Sequence, residues 1–142
     1  MRIERLFSVL EGKTSRIFVN IRNAVQEHLD HVDILEEDIH ILTKFMVISL
    51  RRSKRYRDDV KSPFRENDFM FQRKFEASRK HGRSHDPGDV WLEQLLYLLE
   101  ASHEELLADA EHNDDISSNA AAKTYKYFVE KYTLQIWRAA DR

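Results

Sequence analysis

The sequence has little of what disulfides, tight turns and membrane spans require. Cysteine is absent, which excludes a disulfide framework and a thiolate metal site. The 142 residues include only three glycines and two prolines, and a β-rich fold needs more of both for its turns. No apolar run reaches the roughly 18 residues of a transmembrane helix, and the N-terminal residues do not follow the pattern of a secretory signal. These absences favour a few long helices in a soluble domain, and we expect no membrane partner.

Composition and charge narrow the class of protein further. A chain that is 42% hydrophobic and 34% charged is typical of a globular protein. The length suits one domain, so we expect residues 1–142 to form a single helical domain. The net charge is −2, and a chain without excess positive charge has no general attraction to nucleic acid. We therefore expect a cytoplasmic protein that does not bind nucleic acid, although a nuclear location stays open.

The most apolar part of the chain covers residues 38–50. Apolar side chains lie on every side of a helix drawn through these residues, as in a helix at the centre of a fold. Asp33 is predicted to cap this helix, because Glu36 follows three residues later as in a capping box. The helix should continue through the basic residues that follow, as far as residue 59. We expect an all-α fold of about five helices, packed as an irregular or orthogonal bundle around residues 38–50.

Apolar residues at steps of three and four predict the other helices. Serine or aspartate followed by proline marks two further helix starts, since proline suits the first helical position. Polar stretches that contain glycine, or several asparagines and aspartates, predict the loops. The predicted helices cover residues 2–29, 64–78, 87–107 and 119–142, and the predicted loops cover residues 80–84 and 111–118.

A basic cluster follows the apolar run. Its arginines are candidates for binding a phosphate or another ligand, because guanidinium groups match phosphate oxygens. The alternative is a solvated helix end, where cations complement the helix dipole and neighbouring aspartates neutralise part of the charge. The helix end is the preferred interpretation, and phosphate or ligand binding is the alternative for Arg51, Arg52, Arg55 and Arg57.

Arg52 is the arginine that we expect to point inward. It follows Leu42 and Phe45 on the same helical stripe, and those side chains belong to the predicted core. A buried arginine requires a carboxylate partner. Glu11 and Glu130 are both candidates for this role, and the sequence does not choose between them.

A second candidate site consists of Arg22, Asn23 and His28. These residues follow the pattern Arg-Asn-x4-His. The pattern resembles the active-site motif of the helical ribonucleases of prokaryotic defence, the HEPN class. In that class an arginine and a histidine on one helix face act on the phosphodiester, usually across a dimer. A looser Arg-to-His spacing also occurs at Arg79 and His85, as chance predicts for this composition. A ribonuclease or nucleotide-binding protein is therefore the alternative function. The asparagine after Arg22 makes this match more specific than the Arg-to-His spacing alone.

The remaining histidines predict no metal site. His81 and His85 flank a glycine beside Asp86, but this stretch lacks a third and fourth ligand at a clear spacing, so a polar loop is preferred. The His103-Glu104 pair lacks the second histidine of a zinc HExxH motif. A glycine-rich phosphate loop and a nucleophile elbow are also absent. We expect no metal and no cofactor, we assign no catalytic residue outside the ribonuclease alternative, and whether the protein is an enzyme stays open.

Four blocks of the sequence resemble one family. They read LFSVLEGKTSRIFVNI, LTKFMVISLRRSKRYRDDV, GDVWLEQLLYLLE and YFVEKYTLQIWRAAD. These blocks are similar to the domain of unknown function 4238, which is common in filamentous fungi and present in bacteria. The resemblance covers nearly all of the chain, and it includes the Arg52-Ser53 pair and an Asp-Val-Trp helix start at Asp89.

The resemblance implies no activity, because the family has none established. Its members usually carry an upstream His-x-x-Pro-Gln-x-Tyr-Leu segment and a downstream Thr/Ser-Asp-Asn motif, and neither occurs here. We therefore expect the helical middle of a longer family member, in a fungal cytoplasm. As the function we predict a non-enzymatic interaction or oligomerisation module, whose partner is another protein or a second copy of the chain.

Overall fold

The described part of the protein is helical, which confirms the predicted all-α class. A computed structural model describes residues 2–61, 87–111 and 117–135, and within these ranges it contains six helices and no strand. None of these six helices is long and apolar enough to cross a membrane. The helices are α1 (Arg2–Gln26), α2 (Glu36–Arg52), α3 (Lys54–Lys61), α4 (Pro87–Glu100), α5 (His103–Ala110) and α6 (Ser117–Lys131).

The core forms where α2, α4, α5 and α6 meet. Helix α2 contacts α1, α3, α4 and α6, and α5 packs most extensively against α6. Side chains that meet in this way are removed from water, which is the main favourable contribution to folding. The largest fully buried side chains are Val47, Ile48, Leu98, Leu106 and Tyr125.

Two alanines allow α6 to pack closely against its neighbours. Ala121 and Ala122 are fully buried, and small side chains at a contact permit a short distance between helix axes. Tyr125 follows one turn later and is also fully buried. A buried tyrosine hydroxyl needs a hydrogen-bond partner, and this one lies 2.8 Å from Nδ1 of His103. The contact ties α6 to the first residue of α5.

Helix α1 ends at Gln26, three residues before the predicted end, in a Schellman motif. The N–H of Leu29 donates to the carbonyl of Ala24 at 3.0 Å, and the N–H of His28 donates to the carbonyl of Val25 at 3.2 Å. This pair of bonds requires a left-handed residue just beyond the helix. His28 fills that position with a φ of 55°, which histidine tolerates better than most residues.

The predicted cap of α2 at Asp33 is wrong. The helix begins at Glu36, and Leu35 is the residue that precedes it. The carboxylate of Asp38 accepts the N–H of Leu35 at 3.3 Å, so the helix start is stabilised from inside the first turn rather than from Asp33. The three acidic residues of that turn also complement the positive end of the helix dipole.

The apolar and basic stretches do not form one helix as predicted. Helix α2 ends at Arg52, and Ser53 has an extended backbone with a ψ of 145° before α3 begins. The indole N–H of Trp91 donates to the carbonyl of Arg51 at 2.8 Å. That bond satisfies a carbonyl which the end of a helix leaves without a partner. The break at Ser53 is therefore stabilised by a residue from α4.

Helix α2 is buried on one side only, although its sequence is apolar all round. Leu42, Val47 and Ile48 are buried, whereas Met46 and Leu50 keep about half of their surface accessible. The expectation of a helix buried on every side is therefore wrong. The described helices cover its inner side and leave its outer side apolar and exposed.

The helix predicted over residues 87–107 is divided into α4 and α5. Ser102 lies between them, and its hydroxyl accepts the N–H of Glu105 at 3.1 Å. The carboxylate of Glu105 accepts the N–H of Ser102 at 2.8 Å. The two bonds form a complete capping box, which starts a new helix inside a continuous apolar pattern. The predicted start of α4 at Pro87 agrees with the structure.

Helix α6 ends at Lys131 rather than continuing to the C-terminus. Tyr132 is 57% exposed, and residues 132–135 are not helical. The helix begins at Ser117, two residues before the predicted start. The predicted helix over residues 64–78, the loop over residues 80–84 and most of the loop over residues 111–118 lie outside the described residues.

Removing the cap of α5 should destabilise the fold. In Ser102→Ala the hydroxyl that accepts the Glu105 N–H is lost, and the free energy of unfolding should fall by about 1 kcal/mol. Urea unfolding followed by circular dichroism measures the change. Ser8→Ala is the matched control, because Ser8 is exposed inside α1, where alanine is the better helix former. An equal loss in both variants would contradict the role of the cap.

Candidate functional site

The structure does not bring the four predicted arginines together on one surface. Arg51 is 5% exposed, whereas Arg52 is exposed at the end of α2. Beyond the break, Arg55 is exposed and Arg57 is half-buried on α3. Phosphate binding by this cluster stays a prediction, but Arg51 lies in the interior while Arg52 and Arg55 lie outside.

Arg51 joins three helices through its guanidinium group. Its Nη1 donates to Oε1 of Gln94 on α4 at 2.5 Å, and its Nη2 donates to Oγ1 of Thr124 on α6 at 2.7 Å. The expectation that Arg52 points inward is therefore wrong by one residue. Neighbouring residues project about 100° apart around a helix. A modest error in the predicted direction of the buried face therefore exchanges Arg51 for Arg52.

Arg52 instead lies over an aromatic ring. Its guanidinium carbon is 3.7 Å from the ring centroid of Phe7 on α1, which is a cation–π contact. Both residues line a cavity of about 280 Å³ together with Trp91. Glu130 is one of the expected partners of Arg52, but its Oε1 lies 3.5 Å from Nζ of Lys126 on the same helix.

The residues of the ribonuclease alternative do not share a helix face. Arg22 and Asn23 are exposed on α1, whereas His28 lies beyond its end at the left-handed position of the Schellman motif. Arg22 lines a cavity of about 370 Å³ with Phe18 and Phe45, and His28 does not belong to its lining. The backbone geometry explains His28 without catalysis, so the ribonuclease function stays a prediction without geometric support.

A cavity of about 730 Å³ lies between α1, α2, α6 and the junction of α4 with α5. This volume is within the range of small-molecule sites. Apolar side chains of α1, α2 and α4 line one part of it, and polar or charged side chains line the rest. The polar lining consists of Lys13, Glu36, Glu37, His40, Lys44, Ser102, His103, Glu104 and Tyr125.

Two histidines stack face to face in this cavity. The ring centroids of His40 and His103 are 3.4 Å apart, and the ring planes are 8° from parallel. His103 is the first residue of α5, so the capping box at Ser102 positions it. Nδ1 of His103 forms the hydrogen bond to the Tyr125 hydroxyl, and Nε2 of His40 lies 3.9 Å from a carboxylate oxygen of Glu36.

The surroundings of His103 and Tyr125 shift their acidity. Burial lowers the pKa of His103, and the neighbouring His40 lowers it further, because two adjacent imidazolium rings would repel each other. Burial raises the pKa of Tyr125 to about 12, and the charge of Glu104 acts in the same direction. At neutral pH the cavity therefore contains a neutral His103 and a protonated Tyr125 hydroxyl.

Lys44 joins α2 to the end of α4. Its Nζ donates to the carbonyl of Ala101 at 2.5 Å, where the negative end of the α4 dipole favours a cation. Burial lowers the pKa of Lys44, the charge of Lys13 lowers it further, and Glu105 raises it. Lys44 is thus a cation partly removed from water, with another lysine beside it.

Sequence reasoning missed this cluster because its members are distant in the chain. His40 and His103 lie on different helices, and only the packing of those helices brings their rings together. One local signal existed, since Ser102 and Glu105 have the spacing of a capping box and so place His103 in a first helical turn. The described residues contain no group of three or more His, Asp or Glu side chains that could hold a metal ion.

Acid should destabilise the protein through His103. Its pKa is lower in the folded protein than in the unfolded chain, so its stabilising effect is present above about pH 6.5 and is lost as the pH falls below that value. His103→Gln should therefore reduce the loss of unfolding free energy between about pH 7.5 and about pH 5. Urea unfolding at both pH values measures this loss. His31→Gln, an exposed substitution between α1 and α2, should leave the pH dependence of the wild type unchanged, and the same result for His103→Gln would refute the prediction.

Comparison with known proteins identifies a family for this chain. Comparison with the curated proteins and comparison with solved structures each gave no match. The sequence model of a family described as protein of unknown function (DUF4238) matches residues 1–139. The match includes the Arg52-Ser53 pair and Trp91, whose indole N–H donates to the carbonyl of Arg51 just before that pair. Because the match covers nearly the whole sequence, the chain belongs to the DUF4238 family.

Proposed function

We propose that this chain is a non-enzymatic interaction module that pairs with a second copy through the outer side of α2. The observation that carries the proposal is a row of exposed apolar side chains. Ile39, Met46 and Leu50, which we call the α2 stripe, have 40%, 48% and 51% of their surface accessible. They are separated by seven and four residues, so they lie on one side of the helix. Exposed apolar residues in a continuous row are typical of contact surfaces, whereas scattered ones are not.

Thr43, which lies on the same side of α2, does not oppose pairing. Its hydroxyl donates to the carbonyl of Ile39 at 2.8 Å. A hydroxyl that already has a hydrogen-bond partner loses less when it leaves water than one without a partner. From Ile39 to Leu50 the stripe extends about 16 Å along the helix, which is enough for two helices to pack side by side.

The charges at the two ends of α2 favour an antiparallel arrangement of the two copies. Glu36 and Glu37 are exposed in the first turn, and Lys54 and Arg55 are exposed just after the helix ends. In an antiparallel pair the acidic end of each α2 lies near the basic end of the other, and these opposite charges attract. A two-fold axis gives this arrangement at both ends, because the two copies use the same surface. A parallel pair would place like charges together.

The size of the contact sets the expected strength. One helix face buries less than the roughly 800 Å² per partner of a standard interface. We therefore expect a dimer with a dissociation constant on the order of micromolar, which forms and separates as the protein concentration changes.

A charge at the centre of the α2 stripe should separate the two copies. Met46→Lys places an ammonium group between apolar surfaces, and burying an unpaired charge is strongly unfavourable. Light scattering after size-exclusion chromatography, over a range of concentrations, should show a dimer for the wild type and a monomer for the variant. Leu92→Lys is the matched control, because Leu92 is 43% exposed but lies beside Ile48 on the inner side of α2, so the dimer should persist.

Charge reversal tests the orientation of the pair. Glu36→Arg should weaken the dimer, and the addition of Arg55→Glu should restore part of the lost affinity, because the two ends are then complementary again. A wild-type chain that stays monomeric at every concentration would overturn the proposal. A dimer that Met46→Lys leaves unchanged would overturn it as well.

A further inference from the structure

We propose that the cavity of about 730 Å³ between α1, α2, α6 and the junction of α4 with α5 binds a small organic acid with an apolar body. Binding at this site is a function additional to the pairing of two copies. The site is separate from the α2 stripe, because the side chains of His40 and Lys44 project from a different side of α2 than that of Ile39. The cavity combines an apolar floor with a wall of hydrogen-bond donors. Each of these two parts matches one half of such a molecule.

The inner wall of the cavity offers donors to a ligand. An ammonium group has three donor hydrogens, and the bond from Lys44 to Ala101 uses one of them. The Tyr125 hydroxyl is protonated, and the imidazoles of His40 and His103 each carry at least one N–H. The hydrogen bond between His103 and Tyr125 uses one of these hydrogens, so those two residues together leave one donor for a ligand. An ionised carboxylate has only acceptors, so it complements this wall. At this inner wall a ligand ammonium group would meet donors, and its acceptors would have to be the exposed carboxylates of the lining.

Two lysines of the cavity repel each other, and an anion between them would relieve the repulsion. Lys13 lies close enough to Lys44 to lower its pKa. A bound carboxylate adds two favourable pairs of opposite charges, which together offset the one unfavourable pair of like charges. Because Lys44 is partly buried, salt and water screen its charge less than that of an exposed lysine.

The acidic residues in and beside the cavity lining have a structural explanation. Glu36 and Glu37 belong to the first turn of α2, and Glu104 and Glu105 belong to the first turn of α5. The positive end of a helix dipole favours carboxylates at these positions, and Glu105 also completes the capping box with Ser102. All four glutamates are exposed, so water screens their charges, as it screens that of the exposed Lys13. Three of them line the cavity against two lysines, so the affinity for an anion has to come from direct contacts with the lysines and the hydrogen-bond donors rather than from the net charge of the lining.

The floor of the cavity selects the apolar part of the ligand. Leu6 and Leu10 of α1, Ile41 of α2 and Leu99 of α4 line it. An apolar group placed on these side chains is removed from water, which is favourable in proportion to the area covered. A plain inorganic anion would leave this floor uncovered, so an acid with a hydrocarbon body is the better match.

Titration calorimetry with sodium octanoate as the probe tests the proposal. Octanoate should bind once per chain, and octylammonium should bind at least about tenfold more weakly, because it has the same hydrocarbon chain and the opposite charge. In NMR spectra, the imidazole signals of His40 and His103 should shift on addition of octanoate, whereas those of the exposed His31 should not.

Substitution of the two lysines locates the binding site. Lys44→Gln and Lys13→Gln should each weaken octanoate binding about tenfold, since each removes a charge that attracts the carboxylate. Lys13 is exposed, so Lys13→Gln keeps the test valid if Lys44→Gln fails to fold, which circular dichroism will show. Lys123→Gln is the control, because Lys123 is exposed on α6 and does not line the cavity, and it should bind octanoate as the wild type does.

Three results would overturn the proposal: no binding of octanoate, equal or tighter binding of octylammonium, or unchanged binding in the folded lysine variants. Met46→Lys separates this proposal from the pairing of two copies. That variant should bind octanoate with wild-type affinity even as a monomer, because the α2 stripe lies outside the cavity. Each proposal can therefore fail without the other.

Discussion

A single buried guanidinium group links three helices of the fold. Arg51 of α2 donates to Gln94 of α4 and to Thr124 of α6, and its carbonyl accepts the indole N–H of Trp91. A buried charge is strongly unfavourable unless hydrogen bonds compensate it, so the three helices have to meet in the arrangement that supplies these bonds. The same residue lies next to the end of α2, where the chain turns into α3. The packing of the core and the break between α2 and α3 thus both depend on Arg51.

The features that sequence predicts well are those that depend on local pattern. The scarcity of glycine and proline and the spacing of apolar residues gave the all-α class, and a proline marked the start of α4. Helix ends were less predictable. The capping box at Ser102 lies within an apolar pattern that continues across it, so periodicity hides the break. The break at Ser53 is stabilised by Trp91, which is distant in the chain, and no local pattern contains that information.

The candidate site depended even more on tertiary packing. The choice between Arg51 and Arg52 is a matter of about 100° around a helix, and apolar residues on all sides of α2 left that angle undetermined. At His28 the sequence suggests a role that the structure does not support. This residue fits a catalytic motif in sequence, but in the fold it is the left-handed residue that ends α1. His40 and His103 have no shared motif, and their contact follows from the packing of separate helices.

The parallel stacking of His40 and His103 has a consequence for the charge that the cavity can carry. The ring centroids lie 3.4 Å apart, and the neighbouring His40 lowers the pKa of His103, because two positive charges this close would repel each other. The positive charge of the lining therefore comes from Lys13 and Lys44 rather than from His103. A ligand that stacks on the rings would contact a neutral aromatic surface at His103.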